Sequence, residues 1–569
     1  MSPETFLEHF ETFAAAPNGV ARLRELILQL AVQGKLVPQD DDDELRHKDM
    51  TVGDFVELQN GYAFKSEWFI ANGIRLLRNA NVSHGVLDWS DGVSVTEDRA
   101  KEFERFALYE GDIVISLDRP IISTGLKAAR VTASDLPCLL LQRVGRVQFR
   151  DSRVLPEYFS MWLTSPAFMT AIDPGRSNGV PHISSKEIHR IPFTPPSVET
   201  QRRIVGKVDQ LLGLCDELAS RQESRRAARE RLVVSTLDRL VRANRNAPTT
   251  LDENPQAASA EVHQRSAQAP AEPRPTGTDM ASDIERLRAH FDQLFETPPT
   301  IPHLRQAILQ LAVQGQLVPQ DPNEGDVRKV IHRAIEKRQQ TIETKSLQRK
   351  KLVESVTGIG REDIPSSWCI ERLANLVDPE NTISYGVLVP GNDVPDGIPF
   401  VRAQDLCLSN HPARPNKTIA PEIERPYART RLTGGEILLC VVGSIGKLGT
   451  VPDTWAGANI ARAVARIKPI PEVLRDYLLI VLQAKAVQSY FTSTTRTLAQ
   501  PTLNVGMIEQ TPIPIPPLSE QKRIVAKVTE LLSLCDALEA KLTQAESASS
   551  QLLTAAVHHL LNHAVETVS

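Results

Sequence analysis

Few stretches of this chain carry residue types at the spacing that chemistry demands. "GSIGKLG" (Gly443 to Gly449) places a lysine after two glycines, as a phosphate-cradling loop would, but only two residues separate Gly443 from Gly446 and Leu448 stands where a Ser or Thr would hold magnesium. A tight turn between strands suits it better than a nucleotide site. "GIGRED" (Gly358 to Asp363) is too short for a dinucleotide fingerprint and leads into no convincing helix. There is no HExxH, no GxSxG, and no group of carboxylates with a lysine that would suit metal-assisted cleavage. The six cysteines (Cys138, Cys215, Cys369, Cys407, Cys440, Cys535) are scattered, with no CxxC pair and no zinc spacing, and read as reduced thiols. His182 and His189 are isolated and fit polar-loop or nucleic-acid contacts better than metal ligation. These absences point to a chain that binds.

The bulk properties set the frame. At 569 residues the chain exceeds one compact core and should form several domains. Hydrophobic residues make up 41% and charged residues 24%, near globular averages, so most of it should fold. A net charge of -5 argues against a generic nucleic-acid coat protein, although local basic clusters could still meet phosphate. The N-terminal stretch "MSPETFLEHFETF" is acidic where a secretion signal needs positive charge, and no apolar run could span a bilayer, so a soluble cytoplasmic protein with no membrane partner is expected.

The strongest signal is duplication. Leu23 to Asp40 and Leu304 to Asp321 agree at 15 of 18 positions, and Gln201 to Leu218 agrees with Gln521 to Leu538 at 12 of 18. The offsets differ, 281 against 320 residues, so the order is short block, variable segment, long block, then the same again. A chain so arranged can close into a pseudo-twofold ring in which its two ends meet and imitate the central pair. Ile204, Val208, Leu211, Cys215 and Leu218 recur at spacings of four and three, as do Ile524, Val528, Leu531, Cys535 and Leu538, which predicts long helices with an apolar seam. The first would run from Gln201 to about Arg242, roughly 60 Å at 1.5 Å per residue, and the second to about Leu561 as its antiparallel mate. The short block reads as an amphipathic helix capped by Gly34 or Gly315.

The variable segments share a plan without sharing a sequence. "GDIVIS" (Gly111 to Ser116) answers "GEILLC" (Gly435 to Cys440), and "RLLRNANV" (Arg75 to Val82) answers "PFVRAQDL" (Pro399 to Leu406), all as strands. A short helical piece follows in each, "PEYFSMWLTSPAF" (Pro156 to Phe168) or "LRDYLLIVLQAKAVQSYF" (Leu474 to Phe491). The fold class expected is α+β: two β-rich recognition domains separated by two long antiparallel helices in a pseudo-twofold cyclic arrangement. The expected divisions are an N-terminal helical block (1–45), a first recognition domain (46–196), a central long helix (197–242), a disordered linker poor in large apolar residues (243–283), a second helical block (284–325), a second recognition domain with a basic helical insert (326–516) and a C-terminal long helix (517–569). The basic insert, Arg328 to Lys351, reads either as a solvated face or as an arm meeting phosphate.

"LILQLAVQGKLVPQD", the lead-in "IPIPPLSEQKRIV" (Ile513 to Val525), the "GDI" strand and the order of two domains and two helices resemble the specificity subunits of type I restriction-modification systems. The resemblance covers nearly the whole chain outside the linker. It implies two target-recognition domains, each reading one half of a split asymmetric site in double-stranded DNA, with the helices setting the gap and docking two methyltransferase subunits. Motor-nuclease subunits would join that core. S-adenosylmethionine, ATP and Mg would then bind the partners, with no cofactor on this chain. In keeping with this, none of its Pro-Pro pairs has the flanks with which an adenine methyltransferase holds a flipped base. The first copy departs from the pattern: Thr200 stands where the second has Glu520, and "SLDRPI" (Ser116 to Ile121) lies where the second has "VVGSIG" (Val441 to Gly446).

Recognition domains of this kind need polar and basic side chains reaching base edges or phosphate from loops and strands. The candidates are Asn60, Tyr62, Lys65, Arg78, Asn79, Asn81, Arg119, Lys127, Arg176, Ser177 and Asn178 in the first domain. In the second they are Tyr385, Arg402, Gln404, Arg429, Arg431, Ser444, Lys447, Thr494, Thr495, Arg496 and Gln500. "NGYAFKS" (Asn60 to Ser66) and "TSTTRTLAQ" (Thr492 to Gln500) are the foremost loops. The competing reading is a structural adaptor whose two β-rich domains bind proteins and read no DNA.

Overall fold

The computed structural model describes residues 14, 16–37, 50–122, 125–172, 182–242, 285, 287–345, 364–495 and 502–563. The chain falls into two compact units: unit 1 takes in residues 1–226 and 544–569, and unit 2 residues 227–543. The linker expected at 243–283 lies outside the described residues.

In unit 1, helix α1 (Gly19–Val32) is followed by β1 (Val56–Asn60), β2 (Ile74–Leu77), β3 (Val93–Val95), helix α2 (Glu97–Glu102) and β4 (Ile113–Ser116). Then come the short ribbon β5 (Ile121–Ile122) and β6 (Gly125–Leu126), β7 (Ala128–Arg130), β8 (Cys138–Leu140) and β9 (Val144–Phe149). Helices α3 (Pro156–Leu163), α4 (Pro166–Ile172) and α5 (Ser185–His189) lead to the long helix α6 (Val198–Arg242). One sheet has the order β1-β9-β4-β7, and a second the order β3-β2-β8, with β2 parallel to β8.

Unit 2 repeats this order. Helices α7 (Phe291–Leu294), α8 (Ile301–Val313) and α9 (Val327–Thr344) precede β10 (Cys369–Arg372), β11 (Ser384–Tyr385), β12 (Ile398–Val401), β13 (Lys417–Ile419) and helix α10 (Pro421–Glu424). The strands β14 (Ile437–Cys440), β15 (Leu448–Thr450), β16 (Asn459–Ile460) and β17 (Val464–Ile467) follow. Helices α11 (Arg475–Gln483), α12 (Lys485–Thr495) and α13 (Val505–Glu509), strand β18 (Pro512–Ile515) and the long helix α14 (Leu518–His563) complete it. The sheets run β11-β17-β14-β15 and β13-β12-β16, with β12 parallel to β16, the counterparts of those in unit 1. β14 and β15 form an antiparallel hairpin, so "GSIGKLG" is the turn between strands that its spacing predicted. The helical piece after the strands is two helices in each unit, not one.

The cores explain why the blocks are duplicated. In unit 1, Leu23 and Leu26 of α1 pack with Cys215 of α6 and with Leu553 and Ala556 near the end of α14. In unit 2, Ile301, Ala307 and Ile308 of α8 share a core with Val528 and Cys535 of α14 and with Val233, Leu237 and Val241 near the end of α6. Opposite ends of the two long helices therefore occur together within each unit, and each unit is completed by the far end of the other's helix. Matching ion pairs tie the short helices down: Arg24 to Asp216 in unit 1, and Arg305 to Asp536 (2.6 Å) and Glu539 (2.7 Å) in unit 2.

Two buried glutamines fasten each β-rich body to its long helix. Gln201 accepts a hydrogen bond from Leu155 N (2.8 Å) and donates to Arg153 O and Pro196 O (both 2.7 Å). Gln521 accepts from Leu474 N (2.8 Å) and donates to Glu472 O and Pro516 O (both 3.0 Å). One planar amide thus joins the start of α3 or α11 to the proline-marked start of α6 or α14. The Thr200 and Glu520 difference has a local cause. Glu520 is buried, accepting from Trp368 Nε1 (3.0 Å) and Gln320 Nε2 (2.6 Å), whereas Thr200 accepts from Arg203 Nη2 (2.9 Å). Burial raises the Glu520 carboxyl above the ordinary range.

The basic insert is an amphipathic packing helix over its described part, α9. Val327, Ile331, Ala334 and Ile342 are buried, and the buried Arg338 donates from Nε to Val377 O (2.8 Å). Residues 346–351 of that stretch lie outside the described residues. Replacing Gln521 with Ala should lower the unfolding free energy of unit 2 by about 2 kcal/mol, because three backbone groups, one of them in a buried bond and two in part-buried ones, lose their partner. A chemical-denaturation curve identical to that of the unaltered chain would show that the amide holds nothing.

Candidate nucleic-acid interface

The β-rich bodies present a common backbone frame on which polar side chains are mounted. In unit 1, Leu117 N donates to Arg143 O (2.8 Å), Ile183 N to Leu117 O (3.0 Å) and Ser116 N to Lys127 O (2.8 Å). In unit 2 the same bonds run from Val441 N to Ala463 O (2.9 Å), Leu503 N to Val441 O (3.0 Å) and Cys440 N to Lys447 O (2.8 Å). Each frame thus gathers the turn after β2 or β12, the loop after β4 or β14, the turn before β9 or β17, and the returning chain at His182 or Thr502. Glycine is required where two of these segments cross: a Cβ on Gly61 would lie 2.2 Å from Leu141 O, and one on Gly386 only 1.6 Å from Ile460 O.

In unit 1 the frame carries a charged cluster around Asp118, whose side chain is 15% exposed. Its Oδ2 accepts from Asn79 Nδ2 (2.9 Å) and Arg143 Nη1 (3.1 Å), and its Oδ1 lies 2.9 Å from His182 Nδ1. Lys127 Nζ donates to Asn79 Oδ1 (3.0 Å). Burial lowers the Lys127 ammonium pKa, with the Asp118 charge pulling the other way. Arg119, next in sequence, is exposed. Of the candidates, Asn79, Arg119 and Lys127 meet here.

The other unit 1 candidates have local partners. Arg78 pairs with Asp91 (3.0 Å), and the buried Asn81 donates to Asp88 O (2.8 Å) and Asp91 O (3.0 Å), closing the turn after β2. Tyr62 packs its ring against Phe64, Phe103 and Phe106 at centroid distances of 5.1, 4.5 and 5.6 Å. Lys65 is exposed, 3.8 Å from Glu67 and 5.5 Å from the Trp68 ring centroid. Asn60 is exposed at the end of β1, opposite Gly145. Arg176, Ser177 and Asn178 lie outside the described residues.

In unit 2 the frame brings together Arg402, Gln404, Ser444 and Lys447. Lys447 Nζ donates to Ala403 O (3.2 Å) and Gln404 O (3.3 Å), as Lys127 reaches the matching turn in unit 1. Arg402 grips Asp405 through Nε and Nη2, both at 3.0 Å, and that hydrogen bonding raises the guanidinium pKa further. Ser444 is exposed at the hairpin turn. Tyr385 donates its hydroxyl to Leu503 O (2.8 Å), and burial, with the Glu509 charge adding to it, pushes its pKa up to about 12. Arg431 binds the buried Glu424 with two bonds of 2.7 and 2.6 Å, and Arg429 is exposed just before it. Thr494 and Thr495 are the last residues of α12, with only their backbone described, and Arg496 and Gln500 lie outside the described residues.

Sequence reasoning passed over Asp118 and Arg143, and treated His182 as isolated. The alignment of "LLQRVGRV" (Leu140 to Val147) with "IARAVARI" (Ile460 to Ile467) pairs Arg146 with Arg466 and sets Arg143 against Ala463, so the repeat did not point to Arg143. Among the described residues no group of three or more His, Cys, Asp or Glu is placed to hold a metal ion. No helix among them is long and apolar enough to cross a membrane.

This duplicated frame coincides with a known family. Residues 46–225 and 393–546 match the type I restriction modification DNA specificity domain, and the chain belongs to that family. Among its relatives, the type I restriction enzyme EcoAI specificity subunit of Escherichia coli is 43% identical over 252 residues, covering 37% of this chain and 43% of that protein. The EcoBI specificity subunit of E. coli is 24% identical over 86% of this chain and 80% of its own length. The EcoEI specificity subunit, also from E. coli, is 24% identical over 96% of this chain and 94% of its own.

The Arg431 and Glu424 pair yields a test of role. Arg431→Ala should cost on the order of 2 kcal/mol of unit 2 stability, because a carboxylate that is 1% exposed loses both charge-assisted bonds. A variant with unaltered thermal unfolding would remove the structural role and return Arg431 to the surface.

Proposed function

We propose that this chain is the DNA sequence-specificity subunit of a type I restriction-modification complex. It reads a split asymmetric site in double-stranded DNA, one half with each unit, and directs adenine methylation and restriction carried out by partner subunits. The observation that carries this reading is one backbone frame, built twice, holding different polar side chains at corresponding places. A scaffold repeated for packing alone has no need of that difference, whereas a reader of two unlike half-sites does. Asn79 and Lys127 in unit 1, and Gln404 and Lys447 in unit 2, have the donor and acceptor groups that base edges and phosphates require.

The chain itself would do no bond-breaking chemistry. Two methyltransferase subunits would supply S-adenosylmethionine chemistry, and motor-nuclease subunits the ATP- and Mg-dependent cleavage. The duplicated helical blocks are the docking faces for the methyltransferases. In unit 1 an apolar cavity of about 430 Å³ lies between α1 and α6, lined by Leu23, Ile27, Leu30, Leu211 and Leu214, and Leu214 is 56% exposed. Exposed apolar surface of this kind marks an association site. Leu214→Asp should leave the purified chain folded by circular dichroism while reducing co-purification of the methyltransferase at least tenfold; undiminished co-purification would move the docking face elsewhere.

The function itself is tested by methylation-sensitive sequencing of DNA from cells expressing the chain with its neighbouring methyltransferase. A single split motif carrying N6-methyladenine in both halves is expected. A stable complex that marks no motif would favour the structural adaptor.

A further inference from the structure

The two units impose one backbone on different side chains, and three of the differences lie together on the frame. Leu117 N to Arg143 O corresponds to Val441 N to Ala463 O, and the bridge of Asp118 with His182 corresponds to that of Val442 with Thr502. Arg143, Asp118 and His182 of unit 1 are therefore replaced by Ala463, Val442 and Thr502 in unit 2. What is kept at neighbouring positions holds the frame together. Arg146 donates to Ala107 O (2.8 Å) and Arg466 to Arg431 O (2.6 Å), while Lys127 and Lys447 each secure the turn beside them. Of what changes, the Arg143 and His182 side chains face outward, 63% and 67% exposed, beside an Asp118 side chain that is 15% exposed.

Arg143 is also held in an unusual way. Its backbone is left-handed at φ 68°, and that of Arg119 is left-handed at φ 45°. A side chain with a β-carbon rarely adopts that conformation, and residues that do so cluster at ligand-binding places. The carbonyl of Arg143 is tied to Leu117 N and its Nη1 to Asp118, so the guanidinium is fixed before any ligand arrives.

We propose that Arg143 is a specificity-determining residue that reads a guanine in the half-site of unit 1, with Asp118 as the positioning residue that sets its guanidinium. This rests on the DNA-reading function proposed above. Guanine presents O6 and N7 side by side in the major groove, and an arginine fork matches both. Asp118 occupies one nitrogen of that fork and leaves the remainder directed outward. Its negative charge behind the arginine opposes a phosphate and tolerates a neutral base edge, which favours base reading over backbone contact. Unit 2 carries Arg462 one residue earlier, but Val442 stands where a carboxylate would have to orient it, so the assignment belongs to unit 1 alone.

The test is selection from randomised duplex DNA by the full-length chain in complex with its methyltransferase, using the unaltered protein, Arg143→Ala, Arg143→Lys and Asp118→Asn. The unaltered complex should enrich a split motif with a guanine in one half. Arg143→Ala should lose about 10- to 100-fold of the preference at that guanine and leave every other position as it was. Arg143→Lys should not restore it, and Asp118→Asn should weaken the preference at the same position only. Arg143→Ala enriching the unaltered motif, or losing affinity equally for all sequences, would overturn the assignment. An unaltered complex that enriches no motif would overturn the DNA-reading function itself, and the assignment with it.

Discussion

The structure depends on one buried amide used twice. Gln201 and Gln521 are each fully buried, and each satisfies three backbone groups where a β-rich body meets its long helix. A glutamine is suited to this place because its amide donates and accepts at fixed geometry, and because burying those backbone groups without partners would be costly. With that joint made, Ile204 and Val208 are committed to one core and Ile524 and Val528 to the other. Each β-rich body is thereby held in register with its long helix.

Charge is used in two ways in these units. One set of basic groups is consumed by the fold: Arg431 on Glu424, Arg402 on Asp405 and Arg338 on a carbonyl. Another set stands on the exposed rim of the frame, where Arg143 pairs with Asp118 and Arg119 follows it in sequence. A net charge of -5 is therefore compatible with a binding surface that is locally basic, since screening limits each group's reach to about 8 Å at physiological salt. The absence of a global basic excess says little about such a site.

The frame was legible in the sequence wherever the signal was periodic or repeated. The seam from Ile204 to Leu218 predicted a helix, and α6 runs from Val198–Arg242; the paired "GDIVIS" and "GEILLC" runs predicted strands, and β4 and β14 are those strands. The candidate site was legible only in part. Asn79, Lys127, Arg402 and Lys447 were selected for residue type, and they do sit on the gathered loops. Tyr62 was selected on the same ground, and its ring lies among phenylalanines, because aromatic character suits a packed cluster as well as a stacked base. Nothing local distinguishes a solvated arginine from one that grips a buried carboxylate, as Arg431 does.

The sequence by itself determined that the chain is duplicated and that long helices alternate with β-rich bodies. These properties follow from periodicity, turn chemistry and identity between copies, all of which act within a few residues along the chain. Only the tertiary structure decided that Asp118 gathers Asn79, Arg143 and His182 from segments as much as 103 residues apart. The physical reason is that a hydrogen bond depends on distances of about 3 Å in space. Those distances are set by sheet register and helix packing, and neither is written in the spacing of the residues that meet.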